Sequence, residues 1–452
     1  MRTLRLSDVA AATDGVVHGE DVEVSSVAVD GRAAGPGALF VAIRGERADG
    51  QDFVEQAFAS GASAALVERS IGDHPHVLVG DTTSAFLSLA ASERRAMDAS
   101  VVVITGANGK TSTKDLAAAI LSTRFGVHAS PASFNNEVGV PLTILGAPPE
   151  TEMLVCELGA RHVGDHARLT GVVDPDVVVV TNAGVAHLQE FGSWENVVAA
   201  TAEPVEALGE GAIAILSADD RTVRELSERT AAEVLTFGLA DEADVRATDV
   251  ELDPDGRARF TLRCAGESEP VELSVVGTHM VSNALAASAC GLALGLTAAE
   301  CATGLKNAEI SHWRMEISET SGGLRLVNDA YNANPDSMEA GLKAARWIAR
   351  DGRLVAVLGH MAELGPVSAE EHATLGRLVT RIGIDRLVTV GAEAEAIARS
   401  AILEGMEPDA VRSVDSAADA ASDVRSWARR GDVVFLKGSR VVGLERVAEA
   451  LA

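Results

Sequence analysis

The stretch "VVVITGANGKTSTKDLAAAI", Val101 to Ile120, limits the fold of this chain more than any other. Its opening apolar run reads as a buried strand and its Ala-rich tail as a helix. Between them lie Gly106, Asn108, Gly109, Lys110 and Thr111, so the Gly-Lys-Thr turn falls on a helix N-terminus. Glycine lets backbone N–H groups crowd around an anion, and the helix end adds a favourable potential. A lysine there neutralises terminal phosphates, and a hydroxyl holds magnesium. The pattern predicts a nucleotide site with Lys110 on the β- and γ-phosphates and Thr111 on the metal. The two glycines are separated by two residues instead of the more common four, and a purely structural glycine turn is the alternative.

A chain of 452 residues is too long for one hydrophobic core and suggests about three domains. Residues 1–85 mix short apolar runs with turns and end in a helix-like segment. In residues 86–308 the runs "MLVCELG", "PDVVVVTNAG" and "GAIAIL" alternate with helical stretches, which favours a parallel sheet covered by helices. Residues 242–270 alternate polar with apolar and suggest an antiparallel appendage. In residues 309–452, "RLVAVLG", "IDRLVTVG" and "GDVVFLKG" predict a second, Rossmann-like α/β domain. The fold class expected is therefore α/β in three domains, with a central phosphate-loop ATPase domain.

A formal charge of −28 argues against general nucleic-acid binding, which needs a basic surface. Lysine is scarce: only Lys110, Lys114, Lys306, Lys343 and Lys437 occur, and two of the five lie in or beside the loop. Cys156, Cys264, Cys290 and Cys301 form no CxxC pair, so reduced core thiols are expected, with a reactive cysteine as the alternative. No signal-like h-region or long uncharged apolar run is present, so a cytoplasmic protein without membrane insertion is the expectation; a monomer is expected as well.

The loop in "TGANGKTST" resembles that of the Mur ligase superfamily. "SFNNEVGVPLTIL", "ELGARHVGDHARL", "TNAGVAHLQEFGS", "NDAYNANPDSM", "KGSR" and "VDGRAAGPGALFVAIRGERADGQDF" extend the likeness over nearly the whole chain. The resemblance implies ATP and Mg2+ as cofactors and a ligase of peptidoglycan precursor synthesis, joining D-Ala-D-Ala to UDP-N-acetylmuramoyl-tripeptide through an acyl phosphate. It also implies a nucleotide set of Gly106, Asn108, Gly109, Lys110, Thr111, Ser112, Asn283, Arg314, Asp329 and Tyr331. Glu157 and His187 would join Thr111 at the metal, and Lys110, Glu157 and His187 would be the catalytic group. Asp30, Arg32, Gly45 and Asp49 resemble the uridine region. Asn135, Asn136, Asn332, Asn334, Lys437 and Arg440 resemble substrate contacts.

Each assignment has a plainer reading. Glu157 could cap a helix or pair with Arg161, His187 could be structural, and Tyr331 could simply pack. Asn332 and Asn334 could form turns before Pro335, the first-domain residues and Asn135 and Asn136 could be surface turns, and Lys437 and Arg440 could be a solvated pair.

One departure stands out. Members of the superfamily carry a lysine, carbamylated for a second metal, where this chain has Thr201, and no lysine exists between Lys114 and Lys306. Glu203 could substitute, although a helix would turn it about 200° from Thr201. Gly31, Met280 and His360 also depart from the family pattern. These leave open another Mur-type carboxylate-amine ligase, or a nucleotide-binding paralogue with weak catalysis.

Overall fold

The computed structural model describes residues 1–45, 48–184 and 188–452. Among these residues the chain builds one small and three large sheets. In the first large sheet, Ser26–Ala28, Ala38–Val41, Ala64–Val67 and His76–Leu78 run parallel, and Val16–His18 pairs antiparallel at the edge. The third sheet has the order Glu316–Glu319, Arg325–Asn328, Val433–Lys437, Leu354–Gly359, Arg386–Val390 and Val411–Val414. It is parallel except for its first strand.

The central sheet has nine strands and sets the position of the phosphate loop. The strand predicted before the loop is Ser100–Thr105, flanked in parallel by Met153–Glu157 on one side and Val177–Val180 on the other. Chain connections therefore diverge on either side of it, and the crevice beyond the carboxyl ends of such strands is where open α/β sheets bind ligands. The register sets Glu157 beside Ile104 and Val180 beside Thr105, so Glu157 and the 181–184 segment both emerge next to the loop.

The valines of these strands are buried on both faces, as parallel sheets require. Val102 and Ile104 pack toward helices Lys110–Leu121 and His279–Ala293. Val101 and Val103 face the opposite way, into a core shared with Phe86 and Leu89 of helix Thr82–Arg95 and with Leu39 and Leu66 of the first sheet. One continuous apolar layer thus joins the first sheet to the central one.

The expected antiparallel appendage is a continuation of this sheet. Arg257–Cys264 pairs antiparallel with Val245–Leu252, and Glu267–Val276 pairs with it in turn. Polar–apolar alternation in "RARFTLRC" follows from one covered and one wet face. All four cysteines are free and buried, and burial pushes Cys156 and Cys290 up to about 12, which makes them unreactive core thiols. No helix among the described residues is long and apolar enough to cross a membrane.

Candidate functional site

The loop between Thr105 and Lys110 closes because its two glycines stand where no side chain fits. Gly106 has φ +129° and Gly109 φ +81°. A Cβ on Gly106 would lie 2.2 Å from the Thr181 hydroxyl, and one on Gly109 2.3 Å from Asn283 Oδ1. The segment 181–182 braces the loop: Asn182 Oδ1 accepts from the Asn108 N–H at 2.8 Å, and the Thr181 hydroxyl donates to the Asn108 carbonyl at 2.7 Å.

Helix Lys110–Leu121 begins at the cation the sequence predicts. Lys110 Nζ donates to the carbonyls of Gly106 (2.7 Å) and Ala107 (3.2 Å). Burial lowers the Lys110 pKa, with the charge of Glu157 acting to raise it and that of Arg314 to lower it. The Thr111 hydroxyl lies 2.8 Å from the Ser133 hydroxyl, and Arg314 Nη2 donates to both, at 2.7 and 2.9 Å. The Arg314 guanidinium also stacks 4.4 Å over the Tyr331 ring.

Glu157 is almost fully buried at the end of its strand. Its Oε1 accepts from Asn135 Nδ2 at 2.7 Å, while Oε2 is buried with no hydrogen-bond partner among the described residues. A buried carboxylate oxygen left without a partner at the strand end next to the loop, with the Thr111 hydroxyl at the start of the loop's helix, offers oxygen ligands of the kind a hard cation takes. Magnesium commonly takes one or two carboxylates and completes its shell with water and phosphate oxygens. Glu157 does not pair with Arg161, whose guanidinium reaches Glu363 at 3.4 Å. His187 lies outside the described residues.

The C-terminal sheet reaches the loop a second time. Asn334 caps helix Pro335–Ala349 by accepting from Ser337 N–H, and its Nδ2 donates to Asn108 Oδ1 at 2.5 Å. Behind it, buried Lys437 and partly buried Asp329 form an ion pair at 2.5 Å. Lys437 also donates to the Asn332 carbonyl at 3.0 Å, and Asp329 accepts from the Met315 N–H at 3.2 Å. Asp329 and Lys437 thus hold the backbone that carries Arg314 and Tyr331. Asn283 is buried under Gly109 and donates to Met280 Sδ at 3.3 Å, so the departure at Met280 gives it a partner. Ser112 is buried in the first turn of its helix.

The remaining residues predicted for the site sit in local structure. Asn136 accepts from the Gly139 N–H at 2.9 Å, at the start of a helix. Asp30 and Arg32 pair with each other at 2.7 Å on the surface. The Gly45 N–H donates to the Ala48 carbonyl at 2.9 Å, and Asp49 caps Gln51 and pairs with Arg69 at 3.1 Å. Arg440 pairs with Glu445 at 2.7 Å and stacks on Trp313.

The geometry also decides the role of Glu203. Its two oxygens accept from Gly164 N–H (2.5 Å) and Ala167 N–H (2.8 Å) and cap helix Asp165–Val173, so it does not stand in for a lysine carbamate. Thr201 is buried in helix Trp194–Glu206 and donates to the Val197 carbonyl at 2.7 Å. Beside it, His166 donates through Nδ1 to the Ala200 carbonyl at 2.8 Å, and its Nε2 meets the Thr105 hydroxyl at 2.9 Å. Burial depresses His166 to about 4, so the ring is neutral and Nε2 accepts. These donors and acceptors are committed to one another and do not form a second carboxylate site. His166, Ser133 and Asn182 lie inside the sequence motifs, yet their roles depend on which strands are neighbours.

Three family models match the chain: "Mur ligase family, catalytic domain" over residues 23–86, "Mur ligase middle domain" over 104–291, and "Mur ligase, glutamate ligase domain" over 313–440. The UDP-N-acetylmuramoyl-tripeptide–D-alanyl-D-alanine ligase of Mycobacterium bovis is 40% identical, over 94% of this chain and 92% of its own. The ligase of the same name from Escherichia coli is 35% identical over 100% and 99%. A crystal structure of MurF from Acinetobacter baumannii superposes with a TM-score of 0.89 at 32% identity, covering 100% of this chain and 99% of that one. MurF ligase from Thermotoga maritima in complex with ADP gives 0.82 at 29% identity, covering 95% and 97%.

Proposed function

Since the chain belongs to the Mur ligase family, we propose that it is the ATP-dependent ligase that joins D-Ala-D-Ala to UDP-N-acetylmuramoyl-tripeptide. The observation that carries the reading is the meeting of three segments at one hydroxyl. Thr111 of the phosphate loop, Ser133 of a neighbouring loop and Arg314 of the C-terminal region converge there, and Asn135, two residues beyond Ser133, holds Glu157, whose other carboxylate oxygen is buried without a partner among the described residues. End-to-end likeness to ligases named for these substrates supplies the substrate pair.

In this reading a carboxylate oxygen of the tripeptide attacks the γ-phosphorus of ATP and ADP departs. The dipeptide amine then attacks the acyl carbon, the C–O bond to phosphate breaks, and the amine sheds a proton as the amide forms. Such transfers depend chiefly on positioning and charge neutralisation. Lys110 exchanges its carbonyl partners for phosphate oxygens, and Arg314 brings a second cation from the C-terminal side. Thr111 and Glu157 would hold magnesium, which when bound would draw charge off the transferring phosphate.

The proposal assigns residues 1–85 to the UDP-linked substrate, 86–308 to ATP and 309–452 to closure over both. Asp30, Arg32, Gly45 and Asp49 are the uridine-side candidates. A cytoplasmic monomer completes it: four unpaired buried cysteines support a reducing compartment, and light scattering tests the stoichiometry. The deciding assay is phosphate release with ATP, UDP-N-acetylmuramoyl-tripeptide and D-Ala-D-Ala, each omitted in turn. Release that requires all three supports the reading, and release indifferent to either acceptor overturns it.

A further inference from the structure

One helical turn beyond the loop, Lys114 is 1% exposed. Its ammonium has three N–H groups and meets three acceptors: the Ser130 carbonyl at 2.5 Å, the Ala132 carbonyl at 2.8 Å and Asp115 Oδ1 at 2.8 Å. The other oxygen of Asp115, Oδ2, accepts from both the N–H and the hydroxyl of Ser311, each at 2.8 Å. The bonds of both side chains go to the 130–132 backbone, to Ser311 and to each other, and the reaction as derived above uses neither.

What the two residues hold is informative. The Lys114 bonds fix the 130–132 backbone, where Ala132 adopts φ +45°, a conformation alanine rarely takes unaided. The next residues deliver Ser133 to Thr111 and Asn135 to Glu157. Asp115 fixes Ser311, three residues before Arg314, which reaches the same Thr111 hydroxyl. A buried lysine without Asp115 would be an unpaired charge, and a partly buried Asp115 without Ser311 would lose two donors, so each bond depends on the others.

We infer that Lys114 and Asp115 form a positioning clamp. It ties the metal-side loop and the C-terminal segment to the phosphate helix, so that Ser133, Asn135 and Arg314 arrive together. Its kinetic consequence rests on the ligase reading. Because the clamp touches no phosphate, it governs turnover and the magnesium-dependent part of nucleotide binding, and leaves magnesium-free nucleotide affinity alone.

The test compares Lys114→Met, Ser311→Ala and the double variant with the wild type. Turnover is measured with the three substrates, and ADP binding by calorimetry with and without magnesium. Misplacement of about 1 Å at a transfer site costs roughly 100-fold, so Lys114→Met is expected to lower kcat by that order with its magnesium-free ADP affinity intact. Ser311→Ala, a milder change at a half-buried site, lowers kcat less. The double variant is no worse than Lys114→Met alone, because residues acting as one unit are not additive. Losses that multiply, undiminished turnover in Lys114→Met, or magnesium-free ADP affinity that falls in step with kcat would overturn the clamp. If the wild type itself does not turn these substrates over, the ligase reading fails, and the binding data still decide. The gain in ADP affinity on adding magnesium disappears in Lys114→Met if the clamp, through Ser133 and Asn135, sets the Thr111 hydroxyl and the Glu157 carboxylate, and persists if it does not.

Discussion

Gly109→Ala separates two requirements that the loop imposes at one residue. The first is conformational: at φ +81° an alanine pays roughly 1–2 kcal/mol for the left-handed backbone. That corresponds to a factor of about 5–30 in the population of the competent loop. The second is steric. The new Cβ would lie 2.3 Å from Asn283 Oδ1, where unstrained heavy atoms keep about 3.5 Å, so loop or side chain must yield by about 1 Å. A displacement of that size costs roughly 100-fold in a transfer reaction. All three atoms nearest the new Cβ belong to Asn283, so Asn283→Ala removes the obstacle and leaves the backbone cost. The assay is ATP-dependent phosphate release for wild type, both single variants and the double. Gly109→Ala should lose more than about 100-fold alone, but only about 5–30-fold when introduced into Asn283→Ala. An equal loss in both backgrounds would refute the steric half, and near-normal Gly109→Ala turnover would refute both.

Three further outcomes follow from side chains with committed partners. Lys437→Met leaves the partly buried Asp329 without its cation and should cost up to about 3–5 kcal/mol in urea denaturation, with Asp329→Asn in the same chain restoring much of the loss. His166 is held neutral with a folded pKa of about 4, below its unfolded value, so its contribution is present above pH 6.5 and is lost as pH falls toward 4. That loss is of order 3 kcal/mol, and a His166→Gln variant should show a flatter fall in melting temperature over that interval. Thr201 offers no amine to carbamylate and Glu203 is spent on a helix cap, so turnover should be equal in carbon-dioxide-depleted and bicarbonate-supplemented buffer. A fall on depletion would place a carbamate on one of the five lysines.

The loop, its strand and its helix were legible in the sequence because they depend on neighbours within twenty residues. Val101–Ile104 reads as a strand buried on both faces, and Gly109–Lys110–Thr111 reads as a helix start. Glu157 was legible at the end of its strand, but its partner was not. Asn135 looked like a substrate contact, and only the pairing of strands Val127–Ala129 and Met153–Glu157 brings its amide to the carboxylate. The Glu203 cap and the His166 bridge were hidden for the same reason. Each joins segments more than thirty residues apart through a packing that no local pattern encodes.

Lysine scarcity ties the sequence to the chemistry. Four of the five lysines pair with a carboxylate: Lys114 with Asp115, Lys306 with Glu272, Lys343 with Glu339 and Lys437 with Asp329. Lys110 has only carbonyl oxygens within hydrogen-bond reach among the described residues. A carbonyl is a neutral acceptor, and a phosphate oxygen makes a charge-assisted bond about twice as strong, so the exchange favours an incoming nucleotide. The other four would have to abandon an ion pair first. Among the lysines of a chain of net charge −28, this difference favours Lys110 for an anionic ligand, because acidic groups already occupy the other four ammonium ions.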